Sequence, residues 1–189
     1  FAIDRLADAN STIATWSTTG FIRFTFARQA IPMTWDFAEC NVLGDSTGNF
    51  KGAVKWIYKA VANFTCNSHG FVTQSDAQTV TIPKNAVIST DPPYYDNIGY
   101  ADLSDYFYTW LRRNTKSIYP ALSSTLSVPK VEELVATRFR HESKQEAEAY
   151  FLGGMTKAIT NFANQGNSGF PTTIYYAFKQ TEVEQEGLS

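Results

Sequence analysis

Ala86-Val87-Ile88-Ser89-Thr90-Asp91-Pro92-Pro93-Tyr94 is an apolar, partly β-branched run that ends in a stiff polar and aromatic loop. Its apolar character is continuous rather than alternating, the pattern of a strand buried on both faces of a parallel sheet. Both prolines lack an N–H and fix φ, and each pushes the residue before it toward extended geometry, so the loop carbonyls point in set directions. In open α/β sheets, ligands bind beyond the carboxyl ends of strands. A loop placed there suits a planar base that carries an exocyclic amino group. Asp91 offers a carboxylate acceptor for one amino N–H, and the Pro92 carbonyl offers a second acceptor. Tyr94 offers an aromatic face on which an extruded base can stack.

Working outward, the hydrophobic spacing predicts helices over 2–14, 52–64 and 102–113. Their inward faces are Ile3, Leu6 and Ile13, then Val54, Ile57, Val61 and Phe64, then Leu103, Phe107, Trp110 and Leu111. Asn10 interrupts the first of these seams. Ser143 and Glu146 form a capping box that opens the clearest helix, with Gly166 as its stop. Strands are expected over 70–73, 86–90 and 172–178, the last rich in β-branched and aromatic residues, and 20–27 reads as either a short strand or an extended entry. The stretch 117–141 reads as irregular, with one helical turn near 131–134, and the acidic tail 182–189 reads as frayed. The order of elements predicts an α/β chain organised as a single domain over 1–189. Its sheet would have an open edge, covered either by the N-terminal helix or by a second copy in a homo-oligomer.

Composition narrows the function classes. Sixteen Lys and Arg against eighteen Asp and Glu give a net charge of −2, unusual for a stand-alone nucleic-acid binder. No apolar run reaches transmembrane length, so no membrane partner is expected. Cys40 and Cys66 lack metal-ligand spacing and read as buried free thiols, in keeping with a reducing cytoplasm; no metal site is predicted.

Asp91-Pro92-Pro93-Tyr94 resembles motif IV of the S-adenosylmethionine-dependent methyltransferases that act on base amino groups, in the form typical of the adenine-N6 enzymes. The run STDPPYYDNIGYADLSDYFYTWLRR from Ser89 to Arg113 is similar to a group of large bacterial and archaeal adenine-specific DNA methylases whose full-length members carry a DUF1156 domain. So are RQAIPMTWDFAE from Arg28, VEELVA from Val131 and TTIYYAFKQ from Thr172. The resemblance covers most of the chain. It implies a partial Rossmann-like methyltransferase sheet with flanking helices. Asp91, Pro92 and Tyr94 would be the catalytic group, and Pro93, Tyr95 and Asn97 the further contacts to the target base. Asp76, in Ser75-Asp76-Ala77, looks like the motif III acid that accepts from the amino group of the cofactor adenine.

The chain departs from the family in having no glycine-rich cofactor loop. Phe151-Leu152-Gly153-Gly154 is the nearest candidate, but its spacing is wrong and it falls within a helical pattern. The chain therefore reads as the C-terminal part of a larger methylase, inactive alone, whose partners are the missing N-terminal part and DNA with its target adenine flipped out. Two other readings stand beside this one. One is an RNA base methyltransferase, and the other is a non-catalytic interaction domain that retains the fold.

Overall fold

α1 (Ala2–Ala9) stops at Asn10, whose side-chain amide turns back onto the Leu6 carbonyl at 2.9 Å. The seam interruption noted in the sequence thus ends the helix short of residue 14. The computed structural model describes residues 1–27 and 33–177. Residues 28–32 and 178–189, with the acidic tail, the last residue of the strand expected over 172–178 and parts of two family-like segments, lie outside them. The described residues form a mixed α/β chain with two small sheets of two strands each. They divide into two compact units, 1–27 and 33–70 with 102–128, and 71–101 with 129–177.

In the first unit, α1 packs on α2 (Phe50–Ala62), and β1 (Thr15–Trp16) pairs antiparallel with β2 (Ile22–Arg23). Asp8 ties these parts together. Its carbonyl accepts the Thr25 N–H and hydroxyl at 2.8 and 2.7 Å, and its carboxylate accepts the Phe26 N–H at 3.1 Å. Burial raises the Asp8 carboxyl pKa, and the Phe26 N–H and Arg5 oppose the rise. The Asn49 side chain caps α2 through the Gly52 N–H at 2.6 Å. Gly48 holds φ +80 just before it, and a Cβ there would strike Cys40 Sγ at 2.7 Å. Within α3 (Tyr100–Thr115), Tyr106 donates to the Ala7 carbonyl at 2.6 Å, and the Phe26 ring packs against Tyr106 and Phe107.

Several expected inward faces point outward. Val54, Val61 and Phe64 are exposed, and α2 buries Ala53 instead. Trp110 is exposed on α3, and Cys66 is exposed rather than buried. Among the described residues the buried apolar positions are dominated by alanine. Ala9, Ala14, Ala38, Ala53, Ala101, Ala136, Ala147 and Ala158 are joined by Ile22, Ile98, Val135 and Phe151.

In the second unit, β3 (Ser89–Thr90) pairs parallel with β4 (Thr173–Ile174), and a bridge joins Ala86 to Gly166. The strand expected over 86–90 is thus present in part, but Val87 is exposed, so the run is not buried on both faces. Residues 70–73 form no strand. The chain that follows them is held by side-chain amides: Asn161 and Gln165 both donate to the Val80 carbonyl at 2.9 Å, and Gln165 accepts the Ile82 N–H. The stretch 131–134 is not helical. The one turn of 3-10 helix in this region is at Arg138–Arg140, braced by the Arg140 and Glu133 ion pair.

α4 (Lys144–Gln165) opens as the capping box predicts, with Ser143 Oγ accepting the Glu146 N–H at 3.1 Å. Both glycines of Gly153-Gly154 lie inside this helix. Gly153 faces open space, whereas a Cβ on Gly154 would collide with the Leu134 side chain. Gly154 is therefore a close-approach residue. Gly153→Ala should raise stability by about 1 kcal/mol through helix propensity alone. Gly154→Ala should lose that gain to overpacking, by about 1–3 kcal/mol. Chemical denaturation of the two variants checks this, and equal shifts would contradict it.

Candidate functional site

The parallel ladder sets the position of the Asp91 loop. Thr173 and Tyr175 donate their N–H groups to the Ile88 and Thr90 carbonyls at 3.0 and 2.9 Å. Thr90 is the last paired residue, so Asp91 stands just beyond the carboxyl end of a parallel pair, where ligand sites of open α/β sheets form. Pro92 and Pro93 carry no N–H, and the chain recloses only at Tyr95, whose N–H reaches the Pro93 carbonyl at 3.2 Å.

Tyr95 is the anchor of the loop. It holds φ +48, a left-handed conformation that is rare for a bulky side chain. Its ring meets Phe151 edge-on at 5.4 Å and packs on Ala136 and Ala147. Its hydroxyl donates to Glu148 at 2.8 Å, and its carbonyl accepts the Ala136 N–H at 3.0 Å. The Tyr95 hydroxyl is the main cause of a lowered Glu148 pKa; desolvation opposes it and Lys144 adds to it. Asn97 donates its N–H to the Tyr94 carbonyl, while its buried Oδ1 has no hydrogen-bond partner among the described residues.

Behind the loop lies a cleft of about 170 Å³. Thr90, Asp91, Pro92 and Pro93 form part of its wall, and Leu134, Met155, Ala158, Phe162 and Ile174 supply the apolar remainder. Asp91 is exposed and, among the described residues, is the one ionisable side chain in that wall. An apolar slot with a single carboxylate suits a flat heterocycle that presents an N–H donor. Tyr94 turns its hydroxyl onto Asp91 Oδ1 at 2.7 Å, and its ring is braced edge-on by Tyr176. The hydrogen bond to Asp91 raises the Tyr94 pKa, with burial, Asp91 and Tyr100 adding to the rise. Tyr100 is raised too, first by burial and then by Asp91, with Glu133 adding and the Tyr94 backbone opposing.

The structure thus gathers Asp91, Pro92 and Pro93 at one cleft, with Tyr94 bonded to Asp91. Tyr95 points into the core beside α4. Asp76 is exposed, and its carboxylate accepts the Gln78 N–H at 2.9 Å within its own turn, while its neighbour Ala77 lines the cleft. Sequence reasoning passed over Tyr100, whose proximity to Asp91 depends on the turn at Tyr95. It passed over Leu134 as well.

The chain matches no family model, no curated protein and no solved structure.

Asp91→Asn should bring the Tyr94 titration midpoint down toward that of an ordinary tyrosine, because the carboxylate holding the phenol proton is gone. The raised value means that this contact stabilises the fold at neutral pH and is lost as the pH rises through the Tyr94 titration. Tyr95→Phe should instead move the Glu148 midpoint up. A lowered carboxyl stabilises above its ordinary range, and the benefit is lost as the pH falls through the folded value. Side-chain carbon NMR titrations of both variants read these shifts, and unmoved midpoints would contradict the assigned causes.

Proposed function

We propose that this chain carries the target-base half of a methyltransferase acting on the N6 amino group of adenine in DNA. One observation carries the reading: the Asp91-Pro92-Pro93 wall, beyond the end of a parallel strand pair, opens on an apolar cleft with one carboxylate in its wall. The likeness to the adenine-specific DNA methylases supports it, and the mixed α/β elements are compatible with part of a Rossmann-like sheet.

In this reading the adenine leaves the duplex and enters the cleft. Asp91 and the Pro92 carbonyl accept from its two amino N–H bonds. They draw the nitrogen lone pair out of conjugation and fix the nitrogen in place, so rate comes from positioning and electrostatics. The bond from Tyr94 to Asp91 orients the carboxylate before the base arrives, and the Tyr94 ring offers a stacking face. Pro93 adds apolar wall, Asn97 Oδ1 is an acceptor near the loop, and Tyr95 acts through the backbone it anchors. S-adenosylmethionine supplies an electrophilic methyl group when bound. For holding it the chain offers Asp76, whose carboxylate is engaged by Gln78, so the described residues fit the base better than the cofactor. The remaining cofactor contacts would come from a preceding part of the same protein.

The test is methyl transfer from labelled S-adenosylmethionine to DNA by the protein that contains this chain, with nucleosides identified by mass spectrometry. Asp91→Ala should lower the rate by about 10²-fold or more. Full transfer by this variant would sink the role of Asp91, and methylated guanine in RNA would redirect the reading to an RNA enzyme.

A further inference from the structure

α2 presents Lys51, Lys55 and Lys59 at successive four-residue steps, so the three fall on one stripe of the helix. No acidic residue interrupts this charge. From Ser46 to Ser75 the chain contains no Asp or Glu, although the whole protein is net negative. Like charges four apart destabilise a helix by about 0.2–0.5 kcal/mol per pair. Lys51 also sits in the first turn, where the helix dipole disfavours a cation. Its ion pair with Asp45, at 3.6 Å between two exposed side chains, offsets little of this. Lys55 has no ion pair among the described residues. Lys59 lies over the Trp56 ring at 5.4 Å. Trp56 and Tyr58 are exposed beside the stripe, and Arg5 and Trp56 line one cleft.

We propose that this face of α2 binds the phosphate backbone of a nucleic acid. Three aligned cations with flanking aromatic faces combine the two elements that sequence-independent nucleic-acid surfaces use, charge along the backbone and stacking on bases. A rise of about 6 Å between successive lysines lets each meet a separate phosphate. The geometry disfavours a bilayer as the occupant. At about 100° per residue, the apolar residues Phe50, Val54 and Val61 cluster together, and the lysine stripe is centred roughly 120° away from them. A helix laid on its apolar side would therefore turn most of this charge away from the lipid headgroups. The proposal stands apart from methyl transfer, since none of these residues belongs to the Asp91 cleft.

The test is fluorescence anisotropy of the full chain against a labelled random-sequence duplex and a labelled single strand, between about 50 and 200 mM salt. Lys51→Gln, Lys55→Gln and Lys59→Gln together should weaken duplex binding at least about tenfold at the low-salt end. They should also reduce the salt slope by roughly 2.7, about 0.9 for each phosphate no longer neutralised. The corresponding triple Lys→Arg variant should retain binding, and circular dichroism should show α2 intact in both. Lys157→Gln, at an exposed lysine of α4 outside the wall of the Asp91 cleft, should bind like the wild type, which separates the α2 stripe from a general loss of positive charge. Failure of the wild-type chain to bind either nucleic acid, or an unchanged salt slope in the Lys→Gln variant, overturns the proposal. So does binding confined to phosphatidylserine vesicles.

Discussion

The left-handed turn at Tyr95 is the constraint on which the candidate site depends. Upstream, the Asp91 loop is fixed by a ladder of backbone bonds to β4. Downstream, two prolines leave the chain without donors, and it has to be recaptured at once. Tyr95 does this with its whole residue, through an N–H on the Pro93 carbonyl, a carbonyl on Ala136, a ring on Phe151 and a hydroxyl on Glu148. A positive φ at a bulky residue costs of order 1–3 kcal/mol and persists only where the surroundings over-determine it. Four separate contacts are such an over-determination. The strain at Tyr95 holds Asp91 and Tyr94 in register with the cleft while leaving both side chains outside the core.

Much of this was legible in the sequence because it depends on local chemistry. Ser143 and Glu146 announce the start of α4, and two consecutive prolines announce a loop without donors. The position of Asp91 past a parallel pair was likewise implied by an apolar run ending at a polar loop. Burial was less legible. Val54, Val61, Phe64 and Trp110 follow helical spacing, but spacing assigns a shared face without saying what covers it. In α2 the buried residue is Ala53, and large residues on either side of it remain outside. Residues 70–73 look like a strand by composition, yet the chain nearby is held by Asn161 and Gln165, amides more than eighty residues away that no local pattern reveals.

The two basic features of the chain differ in kind. Arg140 is spent internally, on Glu133 and the Lys130 carbonyl, and so fixes an irregular segment beside the cleft. The lysines of α2 form no such internal web. An overall charge near neutrality therefore conceals a sharply uneven distribution along the chain, and the net value alone says little about which partners a given face can meet.

The alanine-rich core has a consequence for how the protein tolerates change. Ala14 and Ala147 expose no surface at all, so a larger side chain at either has no solvent to expand into. Enlarging Ala14 or Ala147 would overpack the core, whereas shortening an exposed aromatic residue such as Trp35 or Phe71 would leave no buried cavity behind. Fragility in this chain therefore does not follow size: its smallest buried side chains are as sensitive as Phe151 or Tyr95, while its many exposed large ones are open to change.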